Sequence, residues 1–395
     1  MRVLRAPFFT FCLMVLPRLH AVYAPIPEIE QGKALTAYLS AGAYYDSNIF
    51  GRSTGEIGSY VYSIDPSLVF NASLDTKTFA SASYRLSYDY MPDRPGKKGL
   101  DSHELKARIA HTFTPQTELD LSDTYQISKN PESLLPGLAT VVNTDQSYRL
   151  NQLDARFATG LTKRTGLIFK GRDTRYNYQD DALSRSLDRV EYLVGLAASH
   201  ALLPELQSVA EYRHLVINYN SDGATKNKRS DFVLIGADHV LNARVSLSGR
   251  IGLESRRRSG ERDATLPYAE LGCKVDYSKG SYLSLGYGYS VEETSNIELY
   301  TDMSVNRFFL NLQQAIMPKL IATSSINWEP SRLHGRRGVR PDQNETNARA
   351  GLALIYQPAK TWSVSLSFDY DKIESDDVSR KLVRHRTGLS ARYVF

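Results

Sequence analysis

The sequence predicts an all-β fold, a transmembrane antiparallel up-and-down β-barrel of about 18 strands. Three observations carry this. Apolar residues recur at every second position through runs of about twelve residues, too long for ordinary soluble strands and long enough to span a bilayer at a tilt. The links between runs alternate short and long. The chain also closes on Leu389-Ser390-Ala391-Arg392-Tyr393-Val394-Phe395, with Leu389, Ala391, Tyr393 and Phe395 on one face. An apolar, aromatic end to a chain fits a strand that closes a barrel in lipid.

The clearest run is 78–90. Ala80, Ala82, Tyr84, Leu86, Tyr88 and Tyr90 share one face, and Ser81, Ser83, Arg85, Ser87 and Asp89 the other. The same alternation sets Leu283, Leu285, Tyr287 and Tyr289 against Ser284, Gly286, Gly288 and Ser290, and Trp362, Val364, Leu366, Phe368 and Tyr370 against Ser363, Ser365, Ser367 and Asp369. Strands are expected near 33–46, 59–74, 78–90, 102–113, 118–129, 146–161, 166–177, 187–200, 205–219, 229–241, 244–257, 266–277, 281–293, 301–316, 319–329, 345–356, 361–372 and 382–395. In the seventh, ninth and tenth the facing is ambiguous.

Short links such as Asp75-Thr76-Lys77, Leu203-Pro204, Asn242-Ala243 and Ser278-Lys279-Gly280 alternate with long polar ones at 91–101, 130–145, 178–186, 220–228, 258–265, 294–300, 330–344 and 373–381. Short periplasmic turns and long external loops are the barrel pattern, and an even strand count puts both ends of the barrel in the periplasm. A soluble sandwich or solenoid would also alternate, but would not produce this short–long rhythm. Among these links 130–145, with Leu134, Leu135, Leu138, Val141 and Val142, is apolar enough to be the candidate for a loop that folds into the lumen.

Bulk composition conceals such a fold. Only 42% of residues are hydrophobic and mean hydropathy is −0.35. The 25 Tyr suit strands and membrane interfaces. Residues 1–24 read as a signal peptide, with Arg2 and Arg5 before an apolar stretch from Phe8 to Leu16 and small-residue cleavage near Ala24, leaving a barrel domain over 25–395. Export to the bacterial outer membrane follows. Cleavage there removes Arg2, Arg5 and Arg18 and no acid, lowering the net charge from +5 to about +2. That is no basis for a nucleic-acid partner. Of the two Cys, Cys12 falls in the signal, so Cys273 is left without an internal disulfide partner.

The first strand ends in Tyr44-Tyr45-Asp46-Ser47-Asn48-Ile49-Phe50. This segment, through Tyr45, Asp46, Asn48, Ile49 and Phe50, resembles the first-strand motif of the putative β-barrel porin type 2 family. Residues 384–395 resemble that family's last strand. The resemblance implies a bacterial outer-membrane pore, often tied to exopolysaccharide or capsule secretion, with a periplasmic polysaccharide-export partner. It also implies that Tyr393 and Phe395 belong to the C-terminal signal read by barrel-assembly machinery. A diffusion porin for small anionic solutes is the alternative function.

No His lies beside a Ser and an Asp in a recognisable catalytic motif, and no metal-spaced cluster or phosphate loop appears, so neither an enzyme nor a cofactor is expected. Arg85, Lys106, Arg108, Arg250, Lys274, Arg349, Arg386 and Arg392 fall on the inward face as candidate pore-lining residues. They form either a basic belt that favours anions or one half of cross-strand charge pairs. Arg257, Arg258, Arg332, Arg336, Arg337 and Arg340 crowd two external loops, either as solvated charge or as contacts to anionic lipopolysaccharide. Outward aromatics form two girdles, Tyr88, Tyr90, Tyr125, Trp328 and Tyr370 externally, and Phe113, Tyr277, Tyr356, Trp362 and Phe395 on the periplasmic side.

Overall fold

A computed structural model describes residues 33–128, 147–220, 226–258, 262–292 and 299–395. The expected signal peptide and the stretch 130–145 lie outside the described residues.

The alternation builds 18 strands. The first six are β1 (Leu35–Asp46), β2 (Ser59–Ser73), β3 (Thr78–Tyr90), β4 (Gly99–Thr114), β5 (Thr117–Ser128) and β6 (Tyr148–Gly160). The next six are β7 (Thr165–Tyr178), β8 (Arg189–Leu203), β9 (Leu206–Tyr219), β10 (Lys228–Asn242), β11 (Val245–Arg258) and β12 (Ala264–Ser278). The last six are β13 (Ser281–Glu292), β14 (Tyr300–Met317), β15 (Leu320–Gly335), β16 (Gln343–Ala359), β17 (Trp362–Ser375) and β18 (Leu382–Val394). Each pairs antiparallel with its neighbours in sequence. β1 also pairs with β18, from Tyr38↔Val394 to Asp46↔Arg386, which closes the ring. Closure leaves no strand edge for lipid to desolvate.

Turn chemistry accounts for the short links. Asp75 Oδ1 accepts from the backbone N–H of Lys77 and Thr78, at 2.6 and 2.7 Å. Asn242 Oδ1 does the same for Arg244 and Val245, at 2.8 and 3.0 Å. Gly280 supplies a φ of 74° that a residue with a Cβ would resist.

Two links differ from expectation. The segment 330–344 is mostly strand: β15 runs to Gly335 and β16 starts at Gln343, so the loop is only 336–342. Leu333, inward and 1% exposed, packs with Tyr300, Met303 and Val305 and extends the ladder outward. The link after β7 contains a short helix, α1 (Asp181–Leu187), whose Leu187 packs on Tyr148 and Tyr178.

Register fixes the two faces. Exposed large apolar side chains of the strands, such as Leu68, Leu105, Leu253, Leu285, Leu366 and Leu389, stand on the outward face. The expected girdle residues share it. At the closing strand Trp362 lies 4.9 Å from Tyr393, and Tyr393 lies 4.7 Å from Phe395.

Candidate functional site: the pore lining and the barrel seam

All eight candidate pore-lining cations project from the inner face, and carboxylates accompany most of them. Arg85 meets Asp65 at 3.5 Å, and Lys106 meets Glu104 at 2.8 Å. Arg108 grips Asp120 with two bonds, 2.9 and 2.5 Å. Lys274 meets Asp276 at 3.0 Å. Asp371 stands between Arg386 at 3.4 Å and Arg349 at 3.9 Å. The guanidinium of Arg392 lies 4.0 Å over the Tyr38 ring. The inner charges are therefore organised as pairs across and along strands.

Exposure divides the lining into two sectors. On β3 and β4 the side chains of Arg85 and Lys106 are 59% and 51% exposed although they face inward. On β11 the opposite holds. Arg250 is 2% exposed and holds Asp238 through both terminal nitrogens, at 2.9 and 2.8 Å. Glu254 and Arg256 pair beside it and are also buried.

The ambiguous strands conceal a further network. Glu211 accepts from Lys170 Nζ at 2.8 Å and Arg213 Nε at 2.9 Å, and Arg213 continues to Glu270 at 2.8 Å. These residues come from β7, β9 and β12. Sequence reading missed Lys170, Glu211 and Arg213 because apolar Ile168, Val209, Leu215 and Ile217 share their inward face. Reading register outward from each short turn could have found such partners: Arg108 and Asp120 stand almost symmetrically about the β4–β5 turn. A third part of the lining carries mostly hydroxyl and amide groups. Asn311, Thr323, Ser325, Ser367 and Tyr282, with Asp369, border an inner groove of about 220 Å³.

The motif residues of the first strand sit at the seam. Asp46 is fully buried and binds Arg384 of β18 through both carboxylate oxygens, with Nε at 3.0 and 3.1 Å. The backbone N–H of Asn48 donates to the same carboxylate at 3.0 Å. The Asn48 side chain then holds the turn, donating to the Arg52 carbonyl at 2.8 Å and accepting from the Arg52 N–H at 3.0 Å. It also donates to the carbonyl of Val383, across the seam, at 3.3 Å. Ile49 and Phe50 are buried against Val61, Met91 and Leu100. Tyr45 faces outward and meets Tyr60 edge-on at 5.4 Å. These contacts tie the first loop to the last strand.

The loop arginines separate. Arg258 is not a loop residue: β11 extends through it, and it is buried on the inner face, donating to the Thr301 carbonyl at 2.5 Å. Arg332 is likewise in a strand, β15, and pairs with Asp342 at 3.1 Å. Arg340 pairs with Asp377 at 3.1 Å. Arg336 and Arg337 open the 336–342 loop, and Arg257 at the end of β11 stands 3.8 Å from Asp263 with both side chains exposed.

By register His103, His111, His200, His214, His239, His334 and His385 all project from the outward face. The nearest approach to a nucleophilic triad is Ser304, whose Oγ is 2.8 Å from His334 Nε2. Asp342 is 3.5 Å from the other ring nitrogen. Its carboxylate is already engaged by the Gly335 N–H at 2.9 Å and by Arg332. Those contacts hold its pKa below the usual value, the backbone bond being the largest cause. Through these contacts Asp342 braces the 336–342 loop against β15. Among the described residues no group of three His, Cys, Asp or Glu could hold a metal ion.

No protein-family model and no curated protein matches the chain. Solved structures do. The FrpB iron transporter of Neisseria meningitidis (F3-3 variant) is similar with a TM-score of 0.51 at 10% identity, over 92% of this chain and 82% of that one. OccAB4 of Acinetobacter baumannii matches at a TM-score of 0.48 and 10% identity, over 92% and 99% of the two chains. The siderophore receptor PirA of Pseudomonas aeruginosa matches at 0.47 and 11%, over 92% and 80%. At these identities the likeness concerns the fold: the chain is a closed 18-stranded β-barrel of the outer-membrane type.

Proposed function

We propose that the chain is a passive diffusion pore of the bacterial outer membrane for small polar solutes. The observation that carries this is the wet inner face: charged side chains that point into the barrel on β3, β4 and β12 remain about half exposed. Barrels of 16–18 strands leave room for an aqueous channel. The lining is charge-paired, so selectivity between anions and cations is weak, and the hydroxyl-rich groove on β13–β17 offers hydrogen bonds to neutral solutes. Lipid and lipopolysaccharide surround the barrel. In this reading Arg257, at the end of β11, and Arg336 and Arg337, in the 336–342 loop, meet anionic headgroups. Barrel-assembly machinery inserts the chain, with Tyr393 and Phe395 as its signal.

Export of an exopolysaccharide is the rival reading, and the resemblance to type 2 porins favours it. The residues that carry that resemblance, Asp46, Asn48, Ile49 and Phe50 among them, hold the seam and its first loop, a role that either kind of pore would need. Liposome swelling separates pore from closed barrel. Vesicles holding the folded protein should swell in isotonic arabinose or glycine and more slowly in larger sugars. No swelling in any solute would reject a diffusion pore. Deletion that removes surface polymer while leaving nutrient uptake normal would favour export instead.

A further inference from the structure

Most of the outward face at mid-depth is apolar, as lipid requires; outward charges such as Lys372 with Glu374 and His214 with Asp231 stand toward the external strand ends, but in one sector, on β5, a carboxylate enters the band itself. On β5 the outward positions from the short-turn end are Leu119, Leu121, Asp123, Tyr125 and Ile127. A carboxylate thus stands inside the apolar band, with two apolar positions below it and two above. Ala107 and Leu153 flank it on the neighbouring strands. Its partner, the Asn151 amide, donates to it at 3.0 Å and is also outward. On β7 outward Asp173 and Arg175 pair at 3.0 Å, and the Arg175 side chain is 56% exposed. On the far side of the ring the same depth holds Ile326, Leu352, Leu366, Phe368 and Leu389.

The sector is also flat. Outward Gly171 pairs with Ala155. A Cβ built at Gly171 would meet no atom within 4 Å except the Ala155 Cβ at 3.9 Å. Among the described residues nothing requires a glycine there. Small residues with polar neighbours are what a protein surface packed in a bilayer presents to another protein, since they permit close approach and hydrogen bonding. Acyl chains would leave the Asp123 carboxylate, inside the apolar band, without a solvating partner beyond Asn151. Lipopolysaccharide would add negative charge beside Asp123 and Asp173.

We propose that the β5–β7 sector is where a second copy of this chain docks, across a two-fold axis near Gly171. The patch carries acid and base side by side, so two copies meeting isologously can exchange partners, Asp173 of each facing Arg175 of the other. The interface does not depend on what the barrel conducts.

Disulfide trapping in intact outer membranes tests it, in a Cys273→Ser background. Gly171→Cys should give a covalent species of twice the monomer mass on oxidation, and Leu366→Cys on the far wall should give none. Native mass spectrometry in mild detergent should show a dimer for the unmodified chain and loss of that dimer to monomer for Asp123→Leu/Asn151→Leu. Heat-modifiable gel mobility shows that each variant is a folded barrel. A monomeric unmodified chain, a trimer, a Gly171→Cys adduct with a different protein, or equal trapping at both cysteines would overturn the proposal.

Discussion

The seam is the most consequential contact in the barrel, because β1 and β18 have no covalent turn between them. Asp46 is fully buried and Arg384 is 7% exposed. Asp46→Ala removes a carboxylate that receives a bidentate guanidinium and the Asn48 N–H, and it leaves Arg384 buried without that partner. Breaking a buried pair from one side costs about 3–5 kcal/mol. That corresponds to roughly 10²- to 10³-fold or more in the folding equilibrium. Removing both partners, as in Asp46→Leu/Arg384→Met, should restore most of the loss, because apolar replacements of a buried pair are often neutral. Urea unfolding in lipid vesicles reads this through tryptophan fluorescence. Trp362 is a suitable reporter, since it packs on Tyr393 of the closing strand. A double-mutant cycle then isolates the pair. A single-mutant cost below about 1 kcal/mol, or a double mutant as unstable as the sum of the singles, would refute the seam as a lock.

Other predictions follow from facing, charge and pH. Leu285→Arg and Leu366→Arg should each destabilise the barrel by about 2–4 kcal/mol, whereas inward Ser284→Arg should be tolerated; equal yields of heat-modifiable barrel would break the facing assignment. Asp371→Asn removes the carboxylate shared by Arg349 and Arg386. Its reversal potential in a salt gradient should move toward anion preference, and that of Arg386→Ser toward cation preference. Asp342 has a depressed pKa, so its bond to the Gly335 N–H contributes above its unfolded pKa and is lost as pH falls through the folded value. Exchange of the Gly335 amide, corrected for intrinsic rate, should accelerate at acidic pH in the unmodified chain and be fast throughout in Asp342→Ala.

Strand number and the facing of most strands were legible because lipid enforces alternation on one side and water on the other. Facing was obscured where both solvents are partly replaced by protein. β9 and β10 bury Val209, Ile217 and Leu234 inward and place His214 and Asp231 outward. On β7 Ile168 is inward while Asp173 and Arg175 are outward. The extension of β15 to Gly335 escaped notice because Arg332, His334 and neighbouring arginines read as loop, while its anchor, Leu333, meets partners some 30 residues away on β14. The inward charges were legible singly, with pairing as one of two alternatives, but which residue meets which was not. Arg213 and Glu270 are 57 residues apart, and nothing local signals their contact. Asp46 and Asn48 stood out as a motif, but their work at the seam depends on Arg384, 338 residues from Asp46.

Single-channel recording in planar bilayers under a potassium chloride gradient tests the central claim most directly. A charge-paired, water-filled barrel predicts discrete ohmic steps with a reversal potential near zero. Absence of conductance from folded, inserted protein, or strong ion selectivity unchanged in Asp371→Asn and Arg386→Ser, would contradict it.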